Sequence, residues 1–352
     1  MKGSKWCGCA RPTGRTGELA RALHQGPRPD LVHLLHPRNV LAAQVTAWAQ
    51  KHRIPTVYTW LGPFHDAYLT PDRERPFEKP PTYERLVFTR RALVRQAVLE
   101  QRWREVLRNY RLHWPLAAAT ALLPCSEFEA EVMRRFGLTQ PQAMVPLWID
   151  TPFIQTVPVR PPALQSPRPW LLFVGQLTIR KGYDLVVQAL PAIVAAWPAA
   201  SLLVVSGINQ QQRDALMRLA TRMGVQEHIT LLGYLSDEEL INLYRASDVL
   251  LFPTRYEGFG LPLLEAMAAE CPLVSTDIPV VREIVRDGEN GILVPYGDVA
   301  ALARAAMAVV GDEPLRQRLV RGGQATVRER YREDDLVGRV EELYGRVVRS
   351  SA

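Results

Sequence analysis

Between residues 170 and 294 the chain repeats one pattern six times: a short, unbroken apolar run, then a segment with helical periodicity. The runs are W-L-L-F-V (170–174), S-L-L-V-V (201–205), I-T-L-L (229–232), V-L-L-F (249–252), L-V-S-T (273–276) and I-L-V (292–294). A strand with one face in water alternates apolar and polar residues, whereas a continuous apolar run is buried on both faces. Burial on both faces needs helices on each side of a parallel sheet, so the pattern predicts a doubly wound α/β domain. Two helix starts are also legible. Ser236 with Glu239 makes a capping box before Leu240, and Asp298 caps a helix running through Ala300 to Val310.

The first half is less regular. D-L-V-H-L-L (30–35), T-V-Y-T-W (56–60), A-T-A-L-L-P (119–124) and A-M-V-P-L (143–147) read as strands, with helices near 38–51 and 127–136. Between them, residues 83–111 hold eight arginines against three glutamates, with Leu99, Trp103, Val106 and Tyr110 on one apolar stripe. That stretch has two readings: a helix lying on anionic lipid, or a core-packing helix with a solvated arginine face. The proline-rich segment 158–169 reads as a semi-rigid interdomain linker, and 352 residues favour two domains.

A net charge of +7 suits an anionic partner. The basic residues are dispersed and no RNA-binding motif is present, so nucleic acid is not an expected partner. The cysteines, Cys7, Cys9, Cys125 and Cys271, form no disulfide framework, which fits a cytoplasmic protein. Cys7-Gly8-Cys9 has no matching Cys/His pair for a metal site. No apolar run reaches transmembrane length, and no apolar stretch follows Lys2 and Lys5, so neither a membrane span nor a secretory signal is expected.

The stretch Y-E-G-F-G-L-P-L-L-E-A-M-A-A-E (256–270) carries the chemistry. It follows the V-L-L-F strand. Gly258 and Gly260 carry no Cβ and let a ligand approach the backbone. Pro262 suits the first turn of a helix expected over Leu263–Ala269, whose unpaired N–H groups and positive dipole end make a phosphate site. Glu265, one turn in, can accept two hydroxyls, and Glu257 can bind hydroxyls on the other side of the cradle. Such spacing suits a nucleotide-sugar, although glycine turns and acids in a first helical turn also occur for purely structural reasons. F-V-G-Q-L-T-I-R-K-G (173–182) places Arg180 and Lys181 at the end of another apolar strand, on the edge where open α/β sheets bind ligands.

With these segments in view, residues 173–310 resemble the donor-binding domain of retaining GT-B glycosyltransferases of family 4, which include sucrose synthases and many bacterial mannosyl- and glucosyltransferases. E-G-F-G-L-P-L-L-E matches the family's E-x7-E signature and G-Q-L-T-I-R-K-G its basic loop. L-L-G-Y-L-S-D-E-E-L, A-S-D-V-L-L-F-P and D-G-E-N-G-I-L-V-P follow in the family's order. The resemblance implies two Rossmann-like domains facing across a cleft: residues 1–157, then the linker, a donor domain over 170–325, and a helix over 326–352 returning to the first domain.

It further implies transfer of a sugar from a UDP- or GDP-sugar to a glycan, lipid-linked or small-molecule acceptor, with retention and without metal or other cofactor. No D-x-D occurs among the fourteen aspartates, in keeping with a metal-independent site. Implied donor-binding residues are Gln176, Arg180, Lys181, Gly258, Phe259, Gly260, Leu261 and Glu265, with Leu231–Leu235 bordering the base. Glu257, Lys181 and His65 are the implied catalytic group. Peripheral contact with an anionic membrane is a further expectation, tied to the basic stretch.

Four departures from the family stand out. Gln176 replaces an arginine, for which Arg180 can substitute. Leu61 replaces a histidine, with His65 four residues on. Glu270 replaces a glycine. The strands that precede P-D-L-V-H (29–33) in the family are not evident. The alternative reading is therefore a degenerate nucleotide-sugar-binding partner of another transferase.

Overall fold

The computed structural model describes residues 26–35, 40–59, 94, 98, 114–135, 137–160, 162–207 and 210–351. His65, Leu61, Cys7, Cys9 and nearly all of the basic stretch 83–111 lie outside the described residues.

Two parallel sheets organise the chain. The first has strands β1 (Val32–Leu35), β2 (Thr56–Thr59) and β3 (Ala121–Leu123) in that order. Helices α1 (Val40–Lys51) and α2 (Glu127–Arg135) belong to this half, while the short α3 (Thr151–Thr156) packs its Ile154 into the core of the second sheet. The second sheet has strands β4 (Trp170–Val174), β5 (Ser201–Val205), β6 (Ile229–Gly233), β7 (Val249–Phe252), β8 (Leu273–Thr276) and β9 (Ile292–Val294), ordered β6-β5-β4-β7-β8-β9. Its helices are α4 (Tyr183–Ala196), α5 (Gln210–Met223), α6 (Asp237–Ala246), α7 (Leu261–Ala268), α8 (Pro279–Ile284), α9 (Val299–Gly311) and α10 (Glu313–Arg330).

Both faces of the second sheet are covered, as the apolar runs require. Leu171 and Phe173 point into a core with Val186 and Leu190 of α4 and Leu302 and Ala306 of α9. Leu172 and Leu250 point the other way, towards Leu243 of α6 and Leu263 of α7. The six strands match the sequence expectation to within one residue, and Ser236 and Asp298 cap α6 and α9 through their side chains.

In the first sheet, Tyr58 and Leu122 pack against Ala42, Leu116 and Met133. Val57, Ala121 and Leu123 pack against Leu336, Leu343 and Val347 of α11 (Glu333–Ser351). The last helix thus leaves the second sheet and covers a face of the first.

Several expectations need correction. Residues 143–147 form no strand. Ala143 and Val145 donate to Leu122 and Pro124, and only one isolated bridge, Leu122 with Gln142, is made. Pro141 and Pro146 bracket the segment and have no N–H to extend a ladder. The helix expected over 326–352 is two helices, α10 and α11, broken at Tyr331 and Arg332. The segment 158–169, expected as a semi-rigid linker, is anchored to the second half: Asn242 accepts from the Arg160 amide at 2.9 Å and donates to Pro158 O at 3.1 Å, and Ser166 bonds Thr230 at 2.8 Å.

Candidate active site

The strand order fixes where a site can form. From β4 the chain moves outward to β5 and β6, then returns to β7 on the other side and moves out to β8 and β9. The order reverses between β4 and β7, and the loops leaving their carboxyl ends diverge around a crevice, the usual ligand position in open α/β sheets. Those two loops are 175–182 and 253–260, the two segments that the sequence singles out.

The loops are tied together. After β4 a 3-10 turn over Ile179–Lys181 ends at Gly182, whose φ is +76°. A Cβ at Gly182 would sit 2.0 Å from Pro253 O, so only glycine fits where this turn meets the loop after β7. The Arg255 amide donates to Arg180 O at 2.8 Å, and Thr254 Oγ1 lies 3.2 Å from the same carbonyl.

The charged groups meet inside this seam. Lys181 Nζ donates to Glu257 Oε1 at 2.5 Å, and Thr254 Oγ1 donates to the same oxygen at 2.9 Å. Arg180 Nη1 lies 3.6 Å from Glu257 Oε2 and donates to Tyr256 O at 3.0 Å. The three side chains are largely buried: Glu257 is 7% exposed, Arg180 13% and Lys181 14%. An ion pair this deep is sustained only with extra hydrogen bonds, and Thr254 and the backbone carbonyls supply them. Lys181 Nζ also lies 5.5 Å above the Phe252 ring. The ammonium has three N–H donors, so one bond to Glu257 leaves two for another acceptor.

Helix α7 starts at Leu261, two residues earlier than the sequence suggested. Gly260 is its N-cap with φ +107°, and Pro262 takes the second helical position. No side chain caps this helix. Glu265 sits one turn in, its Oε2 accepting from the Tyr244 hydroxyl of α6 at 2.8 Å. Burial raises the Glu265 pKa. The Tyr244 bond and the Lys181 charge pull it back, and Asp237 adds to the rise. Burial and the adjacent Glu265 push the Tyr244 pKa up.

The turn before α7 faces the first sheet. Gly258 O accepts from Cys125 Sγ at 3.5 Å, just beyond β3, and Phe259 packs edge-on against Tyr331 with ring centroids 6.0 Å apart. Burial, then Glu129, pushes the Cys125 thiol well above its ordinary range. Nearby, Glu283 of α8 reaches across to α2, accepting from the Glu127 and Phe128 amides at 2.8 Å each.

The structure therefore brings Arg180, Lys181 and Glu257 into contact, with Gly258, Phe259, Gly260, Leu261 and Glu265 on the adjoining turn and helix. Gln176 lies exposed on the first loop. Arg255, Asp184, Thr254, Tyr244 and Glu283 were not singled out by sequence reasoning. Asp184 reads as an ordinary acid in a helix's first turn. Among the described residues no cluster of His, Cys, Asp or Glu could hold a metal ion, and no helix is long and apolar enough to cross a membrane.

Residues 159–326 match the family described as "Glycosyl transferases group 1". The chain is 35% identical over 184 residues to a phosphatidyl-myo-inositol mannosyltransferase of Mycobacterium leprae, covering 52% of this chain and 48% of that one. It is 35% identical over 164 residues to a D-inositol 3-phosphate glycosyltransferase of Nocardia farcinica, covering 45% and 36%. It thus spans about half the length or less of these curated relatives. Among solved structures, a sucrose-phosphate synthase from Thermosynechococcus elongatus superposes with a TM-score of 0.71 at 22% identity, over 95% of this chain and 77% of that one. Anabaena HepE, solved with UDP and glucose, gives 0.66 at 17%, over 93% and 80%. The fold is that of these glycosyltransferases, GT-B, and residues 159–326 carry the match to glycosyl transferases group 1.

Proposed function

We propose that this protein is a glycosyltransferase that moves a sugar from a UDP- or GDP-sugar to a glycan, lipid-linked or small-molecule acceptor, with retention of anomeric configuration and without a metal ion. The observation that carries this reading is the buried Lys181–Glu257 pair at the switch point between β4 and β7, beside a helix that starts without a capping side chain. The likeness to HepE, solved with UDP and glucose, and the names of the curated relatives support it.

The roles follow from charge. When the glycosidic bond of the donor breaks, negative charge grows on the departing diphosphate, and preorganised donors aimed at it lower the barrier. Lys181, Arg180 and the amides of Gly258, Phe259 and Gly260 are such donors. With two cations on one loop the diphosphate needs no added positive charge. Glu257 holds Lys181 and is near enough to the seam to meet a hydroxyl of the transferred sugar. Glu265, one oxygen engaged by Tyr244, takes the ribose hydroxyls.

A thermal-shift screen of UDP-, GDP- and ADP-sugars, followed by turnover with sugar and lipid acceptors, tests the reading. Stabilisation by one donor and transfer to an acceptor are expected, with the product anomer read by NMR. Glu265→Ala should weaken donor binding about tenfold, the worth of roughly one charge-assisted hydrogen bond. Failure of every donor to bind sinks the proposal. Binding with no transfer to any acceptor instead favours a nucleotide-sugar-binding partner of another transferase.

A further inference from the structure

We propose that Arg255 is a positioning residue that sets the height of Lys181 through a clamp closed on Asp184; its role in turnover rests on the glycosyltransferase reading above. Arg255 belongs to the loop after β7 and Asp184 to the first turn of α4. The Arg255 guanidinium spans both sides of the seam. Nη1 and Nη2 donate to Asp184 Oδ1 and Oδ2 at 2.6 Å each, a bidentate pair, and Nη1 also donates to Ile179 O at 2.6 Å. The side chains are only 10% and 13% exposed.

The geometry is reciprocal. Arg255 reaches from the second loop to the carbonyl of Ile179, while Arg180 reaches from the first loop to the carbonyl of Tyr256. Between these two crossings lies the backbone bond from the Arg255 amide to Arg180 O. The turn 179–181 is therefore held by two guanidiniums, Arg255 paired with Asp184 and Arg180 beside Glu257. Lys181 is the next residue on that turn, so its Nζ is presented to Glu257 at a height fixed by Arg255. Asp184 orients the guanidinium and compensates its charge, since a buried arginine is tolerated only with a partner of this kind.

Lysine cannot replace arginine here. It keeps the charge but has no planar fork to hold both Asp184 oxygens and Ile179 O at once. Misplacing a group by about 1 Å can lower a rate on the order of a hundredfold. A residue that merely supports the fold would alter stability without this effect.

The test reads Lys181 directly. The chain has five lysines, Lys2, Lys5, Lys51, Lys79 and Lys181, so acylation by an N-hydroxysuccinimide ester followed by peptide mass spectrometry resolves each. Exposed Lys51 serves as the internal reference. In Arg255→Lys, Arg255→Met and Asp184→Asn, acylation of Lys181 relative to Lys51 should rise several-fold. In the same variants kcat should fall about ten- to a hundredfold, with the donor KM changing less than about threefold. Leu116→Ala, in the core of the first sheet, should lower Tm and leave both readouts at wild-type values. A folded Arg255→Met with wild-type acylation and kcat overturns the clamp; if that variant does not fold, Arg255→Lys decides. If the wild type turns over no nucleotide-sugar, the functional reading falls and the acylation ratio alone settles the clamp.

Discussion

The two sheets treat the polar groups at their edges in opposite ways. Helices α2 and α7 each begin past a strand's carboxyl end, with a positive dipole end and first-turn amides; in α7, Pro262 has no N–H and the Leu263 amide already donates to Gly260 O at 2.9 Å. In the first sheet those amides are closed from within. Glu283, carried by α8 of the second half, takes the Glu127 and Phe128 amides. The same inward closure holds His33, whose Nε2 bonds Thr59 at 2.6 Å and whose Nδ1 bonds the Tyr344 hydroxyl of α11 at 2.5 Å. In the second sheet α7 starts at Leu261 with no capping side chain, and Lys181 gives one of its three N–H donors to Glu257. Polar groups closed inward hold the two halves together. Polar groups left at the crevice are what a ligand would meet.

Acid should break the first arrangement before the second. Burial lowers the His33 pKa from 6.5 to about 4. The unfolded chain then takes up the proton first, so the contribution is complete above pH 6.5 and is lost as pH falls towards 4. A shift of that size is worth about 3 kcal/mol at most. Chemical denaturation at pH 7 and pH 4.5 measures it. His33→Asn, which cannot titrate, should lose much less stability over the same interval, and equal losses in the two proteins would refute the assignment.

The second arrangement breaks at Lys181. On the proposed reading, Lys181→Ala removes a preorganised cation from the diphosphate, so kcat should drop about a hundredfold or more, roughly 2.7 kcal/mol. Arg180 and Thr254 still partner Glu257, so the fold should survive, with far-UV circular dichroism as the check. A normal rate would remove Lys181 from the chemistry.

These differences bear on what the sequence could reveal. The second sheet was legible because burial on both faces writes itself into continuous apolar runs, and each strand was found within a residue. Ser236 and Asp298 were legible because a cap and its helix are neighbours in sequence. The start of α7 was placed two residues late because Pro262 is an acceptable first helical residue, and only the backbone of Gly260 shows that Leu261 already is one. The first sheet was harder to read. A-M-V-P-L has strand composition, and two prolines stop the ladder. Lys181, Glu257 and Glu265 were visible as residue types beside glycines, but their partners were not. Asp184 lies 71 residues from Arg255, Tyr244 is on another helix than Glu265, and Glu283 is 155 residues from Phe128. No local pattern encodes a contact that a crossover creates.

Glu283 offers a milder way to probe the comparison. Removing its carboxylate leaves the α2 amides without their acceptor, a loss equivalent to an N-cap, about 1 kcal/mol. Glu283→Ala should therefore lower the unfolding free energy by about that amount, and a denaturant midpoint unchanged from wild type would show that water replaces the carboxylate at no cost. On the proposed reading, the same carboxylate in α7's position would occupy the place of the donor's diphosphate.

The smallest effect lies at the other end of α7, where the helix again departs from its counterpart. Its last turn closes with the Glu270 amide donating to Met267 O at 3.4 Å and the Cys271 amide to Ala266 O at 2.9 Å, the two bonds of a Schellman ending. That ending places Glu270 in the left-handed region, φ +63°, where a side chain is strained and glycine is not. Left-handed backbone here is what the glycine implied by the family resemblance would accommodate without strain. Glu270 recovers part of it through the bond from Gln324 Nε2, at 2.9 Å on an exposed surface. Relief of the left-handed strain, about 1–2 kcal/mol, less the lost bond and the added flexibility of glycine, leaves a gain of about 0.5 kcal/mol for Glu270→Gly. Glu270→Ala keeps the strain and loses the bond, so it should destabilise by a similar amount. The opposite signs of the two substitutions are the measurement, because a Gly variant less stable than the Ala variant would mean that the Gln324 bond, rather than the backbone, governs how this helix ends.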